Sequence, residues 1–464
     1  MFFQDMDREH ECEYKERVAR LESQFALLLQ EVDVLKAENA ELRAELAKYR
    51  KPPKTPNNSS LPPSRERYRK PYPKRGKSER PTGGQPGHEG HHHPFAEPDV
   101  IEPVYPSVCE HCGCQELSPL EGYEESRQEV KLPPLKPVVT EHRQQRALCC
   151  KCGKTSRGKL PERLKAPVQM GESISAMVGY LKYMHHLSHE RIVQFFQELF
   201  GLSISEGFVD DRLERLSEDF TPAYEAIGKA LPNEDVLGSD ESGQRVEGKN
   251  VYLWVFQSRM LCYFTGNTSR KFEVIENLFG GKFSGVWVSD RFGAQLKVEG
   301  KHQLCLPHIL RNLQYAVDAE DSVWARDVQE ILRGAIHFRK QQDNAFDPVN
   351  NQDIFRQCEM FRRRLREVFE KPPPGAEAQK LFRTLENRQH QMLLFLTDPD
   401  VPHDNNASER ALRRSVVHKK VLGGFRSNQG AKRQDVLLSI IETAKRQGLK
   451  VLSVLSGNAA LQIA

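Results

Sequence analysis

Three acidic residues and four cysteines stand at spacings that chemistry could use. Asp240 closes the apolar run DVLGSD, and Asp290 closes GVWVSD. Glu409 lies in the first turn of a helix expected from DNNASERALRR. Carboxylates at adjacent strand ends, joined by one from a helix, can hold two Mg²⁺ (or Mn²⁺) ions about 3.5–4 Å apart. Hard oxygen ligands suit these ions. One ion would activate an attacking water or 3′-hydroxyl, and the other would stabilise the leaving oxygen of an in-line displacement at phosphorus. The same residues also suit plainer roles. Strand-end aspartates commonly cap turns. If Asn406 is the N-cap, Glu409 falls at N3, where a capping-box glutamate belongs. Glu241 alternates to the opposite sheet face from Asp240 and is the poorer ligand candidate.

Cys109-Glu-His-Cys112 and Cys149-Cys150-Lys-Cys152 are both C-x-x-C, and Gly113 and Gly153 follow them. Four thiolates arranged tetrahedrally make a closed structural Zn²⁺ site. The spacer of 36 residues is long, but the alternation in QEVKLPPLKPVVTEHRQQRAL predicts strands that bring the pairs together. Cys114 and Cys150 are spare or alternative ligands, and His88, His91, His92 and His93 read as solvated low-complexity sequence.

Composition bounds the setting. No apolar run approaches 18 residues and the mean hydropathy is −0.64, which excludes a membrane span. The start MFFQDMDREHECEYKER has no basic stretch followed by an apolar one, which argues against a secretory signal. A cytoplasmic, reducing location follows, where clustered cysteines favour metal over disulfides. The net charge of +4 hides segregation. Between Lys51 and Arg80 ten Lys/Arg face only Glu66 and Glu79, so that segment carries +8 and the remainder −4.

The elements that must position these residues fall into five domains over 464 residues. Within 1–50, Val18, Phe25, Val32, Asn39 and Leu46 recur every seven residues, as do Leu21, Leu28, Leu35, Leu42 and Tyr49. This is the seam of a parallel coiled coil, with opposite charges at g and e and Asn39 fixing register. Residues 51–95 read as a basic Pro/Gly-rich linker, a solvated spacer or a phosphate-binding arm. Residues 96–165 hold the cysteine pairs. Residues 166–231 are helical, and HERIVQFFQELF–GLSIS–EGFVDDRLERLSEDF suggests a helix-turn-helix around Gly201. Its acidic second helix favours packing over groove contact. His185, His186 and His189 are expected to cap or pack. From residue 232 strands and helices alternate in an α/β layout, with short strands DVLGSD, GVWVSD and HQLCLPH, a tight turn at Ser258–Arg259, and near-continuous helix from 309 to 397.

The ordered set of PPKTPNNSSLPPS, GGQPGHEGH, the two C-x-x-C pairs, YLKYMHHLSHERIVQFF, SDESGQRV, VSDRFGA, Cys305-Leu-Pro-His308, NNASERALR and GGFRSNQGA…SIIETAKRQG resembles the IS66-type insertion-sequence transposases, the TnpC class. The resemblance implies an RNase H-like catalytic domain over 232–464, with an α-helical insertion at about 309–402, and a DDE site of Asp240, Asp290 and Glu409. It implies Mg²⁺-dependent cleavage and strand transfer on DNA, with a non-catalytic DNA-binding relative as the alternative. DNA contacts are expected from Arg65, Arg67, Arg69, Lys70, Lys74, Arg75 and Lys77 in the linker. Arg410, Arg413, Arg414, Lys419, Lys420 and Arg426 are expected to face DNA near the metals. Cys305 and His308 match the family's C-x-x-H position, with packing beside the site as their plain reading. CLPHILRNL and HKKVLGGFRSN depart from the family's usual tryptophan-rich segments and suggest a divergent branch. Expected partners are DNA, a second copy through the zipper, and accessory proteins of the element, in the bacterial nucleoid.

Overall fold

The computed structural model describes residues 18, 20–21, 23–36, 38, 52–59, 94–122, 125–342 and 345–463. Residues 23–36 form helix α1, on which Phe25, Leu28 and Val32 of the heptad seam are exposed. The seam's second half lies outside the described residues. So do the linker cations Arg65, Arg67, Arg69, Lys70, Lys74, Arg75 and Lys77, and the His88–His93 cluster. The chain divides into two units. One takes Arg69–Gly171 and Leu187–Asp211; the other takes Met1–Tyr68, Glu172–His186 and Arg212–Ala464.

In the first of these, β1 (Arg146–Leu148) and β2 (Thr155–Arg157) form an antiparallel hairpin in which Leu148 faces Thr155. The turn at its tip carries Cys149 and Cys152. Of the strand-like stretch 128–148 only β1 forms; residues 128–145 hold no strand. Pro133, Pro134 and Pro137 remove donors a ladder would need, and Val130, Leu132 and Val138 are each more than 90% exposed. Helix α2 (Glu172–Met184) belongs to the other unit. Helix α3 (His189–Phe200) starts at Ser188, whose hydroxyl accepts from Arg191 N at 3.2 Å. It ends at Gly201 in the left-handed region, where the N–H groups of Gly201 and Leu202 return to Gln197 O and Phe196 O. Helix α4 (Glu206–Ala230) begins here and continues into the other unit.

That unit is built on a five-stranded sheet of order β5-β4-β3-β6-β7. β3 (Val236–Val246), β4 (Lys249–Gln257) and β5 (Cys262–Asn267) run antiparallel, and β6 (Lys282–Ser289) and β7 (Glu299–Leu304) continue the sheet parallel to β3. The turn after β4 closes through Ser258 N to Leu261 O at 2.9 Å. The short strand expected at DVLGSD proves to be 11 residues long. Parallel pairing to β6 ends at Gly238↔Val288, but pairing to β4 runs on to Val246↔Lys249. Asp240 therefore sits where β3 leaves one neighbour and keeps the other. One sheet face packs an aromatic cluster of Trp254, Phe256 and Trp287 against Phe279 of α5 (Glu273–Phe279), with ring centroids of neighbouring pairs 5.2–6.1 Å apart.

Helix α12 (Asn428–Arg446) lies along the edge strand β5. Gly266 N donates to Asp435 Oδ2 at 2.7 Å, Phe264 N to Ser439 Oγ at 2.9 Å, and Cys262 N to Thr443 Oγ1 at 3.0 Å. Four helical residues rise about 6 Å, and two strand residues rise about 6.6 Å. Side chains four apart on α12 therefore reach every outward N–H of β5. The β7 edge is met similarly: Gln303 donates to Met392 O at 3.3 Å and accepts from Phe395 N at 2.8 Å.

Helices α6 (Leu306–Glu320), α7 (Val323–Gln342), α8 (Gln352–Val368), α9 (Ala376–Leu385) and α10 (Gln389–Met392) follow β7. Their apolar faces share one core with Val286, Val288 and Leu304 of the sheet, so the helical stretch continues the sheet's packing. Leu306 and Pro307 begin α6, so Cys305 and His308 stand at a strand-to-helix junction and not within a strand. The linker's PPKTPNNS portion forms no regular element, yet Asn58 is buried. Its side-chain amide donates to Asp318 Oδ2 of α6 at 2.9 Å and to Pro53 O at 3.2 Å.

Candidate active site

The start of helix α11 (Asn406–Leu422) is pinned to the sheet by polar bonds. Asn405 Nδ2 donates to Ser239 O at 2.7 Å, Ser408 Oγ to Asn405 Oδ1 at 2.7 Å, and Gln257 Nε2 to Ser408 Oγ at 3.2 Å. The approach is close because residue 238 is glycine. A Cβ there would lie 2.2 Å from Gln257 Nε2, 2.8 Å from Ser408 Oγ and 3.1 Å from Asn405 Oδ1. Asn405 is the N-cap, so Glu409 falls at N4 and not at the capping-box N3. Its carboxylate lies 3.8 Å from His308 Nε2.

Asp240 within β3 and Asp290 just past the end of β6 each lie two residues beyond the paired Gly238 and Val288. Asp240 Oδ1 accepts its neighbour's amide, Glu241 N, at 2.8 Å. Burial, with the charges of Glu241, Asp290 and Glu409, pushes its pKa from 3.8 to about 8. Asp290 Oδ1 accepts from Phe292 N at 2.9 Å, so it also performs the turn-capping role. The three carboxylates thus bear on one another, and Asp240 keeps its proton at neutral pH unless a cation replaces it. The Asp240 carboxyl, buried and facing other carboxylates, is a hard oxygen donor of the kind a divalent ion takes, although the oxygens of Asp240, Asp290 and Glu409 do not all lie within 4.8 Å of one another.

Glu241 turns to the other face, as alternation predicts. Gln295 Nε2 donates to it at 2.8 Å and Arg270 Nε at 2.9 Å, so its charge is matched within the fold. Arg270 itself stacks on Phe292, its guanidinium 4.2 Å from the ring centroid.

Arg291 escaped the sequence reading, which assigned Cys305 and His308 only a packing role. Arg291 is half-buried beside Asp290, and burial pulls its pKa down. Its guanidinium has no hydrogen-bond or ion-pair partner among the described residues. An arginine withdrawn from water without a partner is costly unless an anion joins it. Cys305 Sγ lies 3.3 Å from His308 Nδ1 and accepts from Asn405 N at 3.2 Å; burial pushes the thiol to about 12. The signal for this junction was Pro307, since proline in a first turn marks a helix start.

Among the expected DNA-facing cations, Arg413, Lys420 and Arg426 are exposed. Lys419 Nζ donates to Gly243 O at 2.6 Å. Arg414 turns inward: its Nε donates to Glu442 Oε1 at 2.8 Å, and the pair is largely buried.

The cysteine pairs form two matching knuckles. Gly113 N returns to Cys109 O at 2.8 Å, and Gly153 N to Cys149 O at 2.9 Å. Backbone amides two and three residues on lower the pKa of Cys109 and Cys149. N–H groups aimed at sulfur favour thiolate, the form zinc binds. The four sulfurs do not fall into one cluster within 4.8 Å; among the described residues the grouping that does is Cys305, His308 and Glu409.

The sequence model described as Transposase IS66 family matches residues 167–433, more than half of the chain. The chain belongs to the IS66 transposase family. A second model, the zinc-finger binding domain of transposase IS66, matches residues 106–153, which include all four knuckle cysteines. The chain is also similar to the uncharacterized protein y4jO of Sinorhizobium fredii, 31% identical over 164 residues. That match covers 35% of this chain and 49% of y4jO, so the chain spans about half the length of this curated relative. No helix among the described residues is long and apolar enough to cross a membrane.

Proposed function

We propose that this IS66 family member is the transposase of an insertion sequence, cleaving DNA at element ends and joining the 3′-hydroxyl to a target. The observation that carries the reading is that the charges of Asp290 and Glu409 both act on buried Asp240. Asp240 in β3 and Asp290 just after β6 each follow a paired position by two residues, and Glu409 comes from a helix pinned through Gly238, Asn405 and Ser408. The strand order, three antiparallel strands continued by two parallel ones, supports an RNase H-like catalytic domain. The three carboxylates would hold Mg²⁺ (or Mn²⁺), which when bound supplies charge neutralisation at the attacking and leaving oxygens. The chain's own part is positional. The α11 pins set the reach of Glu409, Arg291 offers its unmatched charge to a phosphate, and Gln295 and Arg270 hold Glu241 away from the site.

The rest of the chain serves this reading. Cys109, Cys112, Cys149 and Cys152 would hold one structural Zn²⁺, their thiolate-favouring knuckles closing around it. The exposed seam of α1 supports parallel pairing of two copies through residues 17–50. Two copies double the basic linker, whose Lys and Arg residues suit DNA phosphates. Exposed Arg413, Lys420 and Arg426 would face DNA beyond Glu409.

The test is a strand-transfer assay with element-end DNA. Asp240→Ala, Asp290→Ala and Glu409→Gln should each abolish Mg²⁺-dependent cleavage and transfer while leaving DNA affinity within about twofold, since the changes touch the charge-stabilising carboxylates. Normal transfer by E409Q sinks the assignment.

A further inference from the structure

We infer that Cys305 and His308 form a relay that positions the Glu409 carboxylate, with Cys305 orienting the imidazole and the imidazole presenting Nε2–H to Glu409. This rests on the reading of Glu409 as a site carboxylate. The two residues lie on one side of the first turn of α6, at the i and i+3 positions that face each other. The sulfur is held from behind, accepting Asn405 N–H at 3.2 Å, and the N–H of Cys305 itself goes to Ser289 O at 2.9 Å. It meets His308 Nδ1 at 3.3 Å. The opposite ring nitrogen, Nε2, faces Glu409 Oε1 at 3.8 Å, a gap that a small shift of the partly exposed glutamate closes.

Geometry gives the relay its order: Nδ1 faces the sulfur and Nε2 faces Glu409, so a donor at Cys305 leaves the ring N–H on the atom aimed at the carboxylate. Asn405 takes part at both ends: its backbone fixes the sulfur, and its side chain fixes β3 to the helix that carries Glu409. The relay therefore joins the start of α6 to the start of α11 at the carboxylate that arrives from outside the sheet. A metal held by Cys305, His308 and Glu409 is the competing arrangement. Sulfur lies nearest Nδ1, at 3.3 Å, and the carboxylate nearest Nε2, at 3.8 Å, while one ring nitrogen also lies within 4.8 Å of both, so the two arrangements are separated by whether Zn²⁺ is held.

The experiment uses the full chain and the variants H308A, H308Q, C305A, C305A/H308Q and E409Q. Mn²⁺ affinity is read by electron paramagnetic resonance of the free ion, alongside thermal stability and Mg²⁺-dependent DNA cleavage. H308A should weaken Mn²⁺ binding about tenfold, as loss of a group that orients a ligand does, and lower kcat more than it raises KM for DNA. H308Q should recover most of this, because the glutamine amide places an N–H where Nε2–H stood. C305A should weaken binding several-fold in the natural background and not at all with H308Q, since an amide donor needs no tautomer partner. Equal impairment of H308A and H308Q, or a C305A effect that persists beside H308Q, overturns the relay. So does a tightly held Zn²⁺ that H308A alone loses. Loss of Mn²⁺ affinity in both H308A and E409Q, in a protein that never cleaves DNA, upholds the relay and overturns the transposase reading. Cleavage by the natural protein with Mn²⁺ binding unchanged in H308A overturns the relay alone.

Discussion

Asp240→Asn should make the metal-free protein more stable. The substitution keeps the shape of the side chain and its acceptor for Glu241 N, at 2.8 Å in the natural protein. It removes a carboxyl whose pKa rises from 3.8 unfolded to about 8 in the fold. Because the folded value is the higher, the unfolded chain releases its proton first. The group's contribution is whole below about pH 4 and is lost as pH climbs to about 8. At 1.4 kcal/mol per unit, the deficit is about 2 kcal/mol at pH 5.5 and about 5 kcal/mol at pH 8. Water entry and side-chain relaxation reduce the difference between these pH values to an expected 2–3 kcal/mol, or roughly 5–10 °C in Tm for a unit of this size. The assay is calorimetry of the full chain in Mg²⁺-free buffer at both pH values, then with Mg²⁺ added. Asp435, held near 7 by burial, titrates in the same direction, so the informative quantity is the natural protein minus D240N. The natural protein should fall behind D240N as pH rises and recover with Mg²⁺, while D240N ignores the metal. If D240N is no more stable at pH 8, or gains as much from Mg²⁺, the cation-site argument is wrong.

Other outcomes follow from the same structure. Gly238→Ala should push the start of α11 off the sheet, costing roughly 1–3 kcal/mol by overpacking and cutting cleavage further than the stability loss explains. Ser439→Ala leaves Phe264 N–H without its acceptor and should lower urea stability by about 1–3 kcal/mol. Metal analysis should find one Zn²⁺ per chain, lost in Cys112→Ser and in Cys152→Ser; folded protein without zinc would refute the knuckle site. Leu28→Glu, placing charge on the exposed seam, should convert a dimer into a monomer in sedimentation equilibrium.

Much of the site was legible because buried strands are apolar until they reach something polar. VLGSD and VWVSD announce where side chains leave the core, and NNASER announces a helix start. The continuation of β3 was not legible. ESGQRV is too polar to read as a strand, and its pairing depends on β4. Its polar residues are answered from afar, Glu241 by Arg270 and Gln244 by Gln434. HQLCLPH misled because periodicity does not mark the change from strand to helix; Pro307 did, and was the better signal. Asn58 belongs to a segment whose prolines correctly predict irregular chain, but no local pattern shows that it docks on Asp318. Arg414 illustrates the limit of counting charges: Arg413 beside it is exposed, yet Arg414 turns in to Glu442, 28 residues away.

The side chains facing β5 have a consequence for assembly. With Asp435, Ser439 and Thr443 answering its outward N–H groups, that border of the sheet is not left for a visiting strand. Two copies brought close together would therefore not pair through β5 into a continuous ladder. Contacts between copies fall to other surfaces, the exposed seam of α1 among them.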